Sequence, residues 1–486
     1  MLRSCLAIGG VIPLIVLLAA IALGVRDLAP GRSVGDSLTA WKDLLLYVQA
    51  RSEHEGVQFH VARAGGWAAV HAGGGTAQHA GRTVHLGFES VARKLEALPA
   101  ELAAGTARHP HSHGVVELAR APWNNLSATN TSSLALPPPQ QAAVRAFLSE
   151  RFGAASSPRW TAQAMRLDAS EFLSAGSGFR LHVKSSACIF AQQWLWRVGL
   201  DIELSRSDAN EWCENYLQPL VLHALMPGFA SRLWRLSVAR QVQRKRMRQM
   251  RNCSVIVAAA GATLGDEANR TAEQWRQLEL LSLGMHDALA LMGGAAVPDL
   301  IVKTIWALKN GTAAPPLGLA PPLLADDERI GPADTEEELD AAEDLLRLCV
   351  LEMLRMFPEV SHVPIDRDGG DGGDSEGASF ELLSLEAAMR DPQKWGDTAN
   401  AFDVGRASSD ELARELARLY APYEPYAMSW GAGGLSLAIT EAFVGAFVAS
   451  ADQWVTRDGA PYELGATLFR AGTVYASQAQ MDKYGI

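Results

Sequence analysis

Apolar residues fall into three regimes along the chain. Cys5 to Val25 is an unbroken apolar run of 21 residues, bounded by Arg3 and by Arg26-Asp27. That length spans a bilayer, and it exceeds the roughly 7–15-residue apolar core of a cleavable leader. It predicts a transmembrane anchor over residues 1–26, with Pro13 tolerated inside a membrane helix. Between Val57 and Val84, short alternating stretches are broken by Gly65-Gly66 and Gly73-Gly74-Gly75, which predicts a small strand meander. Beyond Pro137-Pro-Pro139 the period lengthens to that of helices. Leu280 to Leu308 reads as one long buried helix kinked by Pro298. Asp334-Thr-Glu-Glu337 reads as the capped start of a helix ending at Phe357. Leu435 to about Val448 reads as a buried helix entered from the loop Trp430-Gly431-Ala432-Gly433, and Tyr462 to Tyr475 as a last hairpin. The predicted class is mainly α with small β-sheets, in one domain over residues 27–486.

At 48% apolar and 20% charged residues, such a chain buries a large core. A net charge of -11 argues against nucleic acid as a partner. The five cysteines, Cys5, Cys188, Cys213, Cys253 and Cys349, form no paired spacing, so neither a disulfide framework nor a zinc site is predicted. Three segments read as solvated inserts: the histidine-dense Arg108 to His113, the linker Pro315 to Asp334, and the acidic Asp366 to Gly377. Arg232 to Arg251 carries eight basic residues with Leu233, Leu236 and Val242 between them. It reads as a solvated basic helix face, the alternative being a surface for an anionic membrane or an acidic partner.

Four motifs occur in a fixed order: Glu352-Met-Leu-Arg355, Arg390-Asp391-Pro392, Phe402-Asp-Val-Gly-Arg406, and Trp430-Gly431-Ala-Gly433. In order and spacing they resemble the cytochrome P450 superfamily, specifically over Leu281 to Ala449 and vaguely from Phe59 to Arg251. The resemblance implies a P450-like fold and a buried structural triad of Glu352, Arg355 and Arg406. It implies a pocket lined by the distal helix at Gly293, Gly294, Ala295, Ala296, Val297 and Pro298. It also implies a haem loop at Trp430, Gly431 and Gly433. The departures fall on the chemistry. Leu437 stands at the position of the iron-ligating cysteine, Leu435 at that of the cation for a haem propionate, and Ile439 at the last loop glycine. Ala295, Ala296 and Val297 replace the acid and alcohol that deliver protons to dioxygen, and offer no exchangeable side-chain proton. Pro298 and Trp430 are similar to features of the branch containing sterol 7α-hydroxylases and prostacyclin synthase, which includes isomerases that need no reductase.

Three functions follow from this pattern. The first is a non-oxidative isomerase or cyclase type step on a small hydrophobic metabolite. The second is a binding or scaffold pseudoenzyme. The third is a haem-dependent monooxygenase with an unusual ligand, which alone would require haem and a redox reductase. The bilayer and a small hydrophobic ligand are the expected partners, and the expected location is a single-pass position in the endoplasmic reticulum membrane. Which side the domain faces stays open. Arg26, Arg32 and Lys42 against Arg3 favour a cytosolic domain. Sequons at Asn125, Asn130, Asn252, Asn269 and Asn310 use five of nine asparagines, where about one is expected by chance, and favour a lumenal one.

Overall fold

The computed structural model describes residues 61–62, 65–79, 82–104, 106–108, 138–152, 161–175, 180–217, 238–309, 336–356, 358, 362–367, 379–420, 434–449, 454–455 and 473–476. The apolar run Cys5 to Val25, the histidine-dense stretch after Arg108, the Pro315 to Asp334 linker and residues 368–377 of the acidic insert lie outside them.

The first described element is helix α1 (Trp67–Ala72), where the alternating pattern predicted a strand. Trp-Ala-Ala-Val-His-Ala fits either period over so few residues. The left-handed Gly66, at φ 88, and the turn at Gly73 set the helical reading. Strands β1 (Thr76–His79) and β2 (Arg82–His85) follow as an antiparallel pair. Then come α2 (Phe88–Ala104), β3 (Ala107–Arg108), α3 (Pro138–Phe152) and α4 (Ala162–Ala175). The short strand β4 (Arg180–His182) leads into α5 (Val183–Leu200), and α6 (Arg206–Trp212) closes in a wide π-turn over Cys213–Leu217. The basic run forms α7 (Val238–Arg251), followed by α8 (Ser254–Ala259).

The long helix begins earlier than its apolar pattern, as α9 (Ala272–Leu291), because Thr271 and Gln274 cap each other's backbone N–H groups. After a π-turn at Met292–Ala296 it continues as α10 (Val297–Lys309). By length and composition Ala272–Ile305 is apolar enough to cross a membrane, but 88% of its most apolar window is buried inside the protein, so it is read as a core helix.

The C-terminal part contains α11 (Glu336–Met356), the antiparallel pair β5 (His362–Arg367) and β6 (Ser379–Ser384), and the short helices α12 (Leu385–Ala388) and α13 (Pro392–Trp395). The last described elements are α14 (Ser409–Tyr420), α15 (Leu435–Ala449), β7 (Trp454–Val455) and β8 (Thr473–Ala476). Five strands form a mixed sheet in the order β1-β2-β6-β5-β3, with β2 and β6 parallel. Three form a second, antiparallel sheet in the order β4-β8-β7.

Helix α15 is apolar on nearly every side because α4, α5, α10 and α11 all pack against it. Phe172, Phe190 and Phe443 meet where α4, α5 and α15 converge, with ring centroids 5.5–6.4 Å apart. Helix α3 reaches its neighbours through two glycines. A Cβ at Gly199 of α5 would lie 2.6 Å from the Phe152 ring, and one at Gly284 of α9 would run into Val144. Arg151 closes the end of α5, donating to the Val198 and Gly199 carbonyls and pairing with Asp201 at 2.9 Å. The basic helix α7 is docked rather than free on one side. Arg246 is fully buried and donates to the Asp208 carbonyl and to the Asp208 and Glu211 carboxylates of α6. Lys245 shares both carboxylates, and hydrogen bonding from Arg246 holds the Asp208 carboxyl down to about 2.

Helix propensity alone favours alanine over glycine by about 1 kcal/mol at position 284. The Val144 contact reverses that sign. Gly284→Ala is expected to lose about 1–3 kcal/mol in urea unfolding, and Val144→Ala in the same chain to recover part of it.

Candidate functional site

Glu352 and Arg355 stand one turn apart near the end of α11, both fully buried. The guanidinium grips the carboxylate as a fork, Nε to Oε2 at 2.7 Å and Nη2 to Oε1 at 2.8 Å. Arg406 approaches the same Oε1 at 3.5 Å, and the Asp403 backbone N–H donates to it at 3.1 Å. Two cations face one anion here, and the surplus donors go to backbone carbonyls. Arg355 reaches Met389, Ala399 and Ala401; Arg406 reaches Trp395, Thr398 and Ala401. Burial is the main influence drawing the Arg406 pKa below its ordinary value, and the nearby Arg355 charge acts the same way. The structure thus brings together Glu352, Arg355 and Arg406.

The Arg390-Asp391-Pro392 segment is part of the same assembly. Arg390 is buried and donates to the Met356 carbonyl at 2.6 Å. Asp391 caps two helices, accepting from Gln393 N–H at 3.0 Å and from Phe88 N–H at 2.8 Å, with His71 Nε2 at 3.5 Å. Pro392 opens α13 at its first position, where no N–H is needed.

Trp430, Gly431 and Gly433 lie outside the described residues, which resume at Gly434. Leu435, Leu437 and Ile439 all fall inside α15, at 1%, 2% and 0% exposure. The resemblance-implied site on the other side is the Gly293 to Pro298 stretch. The π-turn at Met292–Ala296 holds both glycines and ends two residues before Pro298, which is buried. A proline cannot donate to the preceding turn and its ring crowds that turn's carbonyl, so one widened turn accommodates it without breaking the helix. Gly293 is required by contact, because a Cβ there would meet the Gln192 and Leu195 side chains of α5. Gln192 is fully buried, donates to the Leu289 carbonyl at 2.8 Å and accepts from Trp196 Nε1 at 3.1 Å. Ala296 and Val297 are buried beside it. One turn further on, Lys303 pairs with Asp299 at 2.5 Å, and Lys184 of α5 lies 3.8 Å from that carboxylate. That pair was not singled out from the sequence, although its i,i+4 spacing marks it.

The cysteines depart from the sequence expectation. Cys188 of α5 and Cys213, the residue after α6, form a disulfide. Helix packing brings their Cα atoms to 6.2 Å, which no spacing along the chain reports. Cys253 and Cys349 are free and buried. Burial and the Glu352 charge push the Cys349 thiol up to about 12, and burial raises that of Cys253. His286 is buried against Asp287, at 3.1 Å, and edge-on to Trp212. A cleft of about 280 Å³ opens elsewhere, between α4 and α5, lined by Asp168, Glu171, Phe172, Trp194, Arg197 and Glu203.

No protein-family model matches the sequence, and no curated protein matches it. Solved structures do match, and they are cytochromes P450. P450BioI, in complex with an acyl carrier protein ligated by hexadec-9Z-enoic acid, aligns over 88% of this chain and all of its own, at 16% identity and a TM-score of 0.51. A mutant of P450 EryK in complex with erythromycin B aligns over 84% and 95%, at 14% identity and 0.50. The open form of EryK from S. erythraea aligns over 85% and 94%, at 15% and 0.50. The chain has the cytochrome P450 fold, mainly helical with a small mixed sheet.

Haem held by a cysteine thiolate does not fit the described residues. At the position where the resemblance places the thiolate, Leu437 has no lone pair; of the four described cysteines two are tied to each other, and burial pushes the thiols of the remaining two toward the protonated form.

Removing the anion from the clamp leaves Arg355 and Arg406 facing each other with no carboxylate between them. Glu352→Gln is expected to lose about 3–5 kcal/mol in urea unfolding. Arg355→Lys, which keeps the charge but loses the fork, is also expected to destabilise measurably.

Proposed function

We propose that this protein is a P450-fold receptor for a small hydrophobic metabolite of lipid, terpenoid or other secondary-metabolite type. It does not activate dioxygen on a thiolate-ligated iron. One observation carries the reading: Leu437, which the resemblance puts at the ligand position, is buried at 2% exposure within a helix. The two free described cysteines are neither exposed nor ionised. The hydrophobic ligand class is supported by the apolar distal stretch and, at the level of fold alone, by structures in complex with hexadec-9Z-enoic acid ligated acyl carrier protein and with erythromycin B. The apolar run Cys5 to Val25 supports attachment as a single-pass protein of the endoplasmic reticulum membrane.

A second reading, catalysis of a non-oxidative isomerisation or cyclisation, is favoured by the π-turn at Met292–Ala296, a distortion frequent at functional sites. Against it, Ala296 and Val297 supply neither acid nor base at that turn. The two readings part on turnover. Full-length protein in detergent is incubated with fatty acids and terpenoids, with neither reductant nor dioxygen, and the products are read by mass spectrometry. Saturable binding with unchanged ligand is expected; a product of equal mass establishes the isomerase or cyclase.

The reduced protein exposed to carbon monoxide is expected to lack the thiolate-type absorption band. Leu437→Cys is expected to restore haem binding only in part, since Leu435 supplies no cation for a propionate. Wild-type protein carrying stoichiometric haem with that band overturns the reading.

A further inference from the structure

Two kinds of observation, independent of each other and of the pocket, bear on where this domain folds. The first is the Cys188–Cys213 disulfide, with the two residues 2% and 0% exposed. It ties α5 to the end of α6, and burial on both sides removes it from reductants once formed. The second is the placement of the two sequons that fall among the described residues. Asn252 lies in the turn between α7 and α8, with Asn252 and Ser254 both exposed. Asn269 lies in the turn before α9, with Asn269 and Thr271 exposed. Its side chain donates to the Asp266 carboxylate at 2.6 Å, within the same turn. A glycan on either residue projects from a helix–helix turn without displacing the core.

We propose that the domain folds in the lumen of the secretory pathway, with Cys188–Cys213 oxidised and N-glycans on Asn252 and Asn269. Oxidation passes two electrons and two protons from the cysteine thiols to a disulfide-donating thiol oxidoreductase, whose own disulfide becomes two thiols. Glycosylation joins the asparagine amide nitrogen to the anomeric carbon of a lipid-pyrophosphate-linked oligosaccharide. The lipid pyrophosphate leaves and one amide proton is lost. The basic residues Arg26, Arg32 and Lys42 favour the opposite orientation, but only by three positions to one. A buried disulfide is rare in a reducing cytosol, and it outweighs that bias.

The test uses the full chain expressed in eukaryotic cells. Free thiols are blocked with N-ethylmaleimide at lysis. One portion is then digested without reduction for peptide mass mapping, and another is treated with an endoglycosidase. The expected result is a linked Cys188–Cys213 peptide, a mobility shift on deglycosylation, and loss of one glycan step in each of Asn252→Gln and Asn269→Gln. Sugar transfer accompanies synthesis, so these mobility readings hold even where a variant folds poorly. Maleimide on Cys188 and Cys213, or a chain whose mobility the endoglycosidase leaves unchanged, overturns the proposal. A shift that persists undiminished in Asn252→Gln/Asn269→Gln overturns the assignment of these two sites.

Discussion

One carboxylate holds the C-terminal half of this fold in place. Glu352 is fully buried, and a buried carboxylate is tolerable only where cations and N–H groups surround it. Arg355 does so from the same helix, and the Asp403 backbone and Arg406 do so from one segment about fifty residues further along the chain. The guanidinium groups then use their remaining donors on the carbonyls of residues 389–401, a stretch with little regular secondary structure of its own. Met389 and Ala399 among them are buried, where a carbonyl needs such a donor. The irregular segment is ordered by two side chains that are themselves ordered by one anion.

That assembly was legible in the sequence because its geometry is local at each end. Glu352 and Arg355 are spaced to share a helix face, and Arg406 follows a recognisable motif. Helix α15 was legible for the same reason, by its unbroken apolar run, whereas Asp366 and Arg367, read as the start of a solvated insert, pair in β5 with Phe380 and Ser379 of β6. Other features depended on partners far along the chain. The pairing of Cys188 with Cys213 follows from α5 packing on α6, and the burial of Arg246 from α7 docking on Asp208 and Glu211. A strand was expected where α1 forms, because six residues cannot separate a period of 2 from one of 3.6. The true start of α9 lay in the Thr271-x-x-Gln274 cap, upstream of the apolar pattern that marked Leu280.

The long helix α9–α10 is held in place by packing rather than by chemistry. Gly293 is held by its contact with α5, where Gln192 fills the space a side chain would need. That constraint concerns packing alone and is indifferent to whether iron is present. The Glu352 clamp is equally indifferent. Leu435 and Leu437, which the resemblance places at the cation and ligand positions, are buried members of a helix core.

The double cap at Asp391 has a consequence for synthesis. Its carboxylate closes the first turn of α2 at Phe88, 303 residues earlier, and β2 finds its parallel partner only in β6. At about 5–20 residues per second, the ribosome takes roughly 15–60 s to deliver that partner. Throughout this interval β2 leaves the exit tunnel with one edge unpaired, and α2 with an uncapped backbone N–H. The N-terminal segment thus keeps an open strand edge until about four-fifths of the protein has been translated.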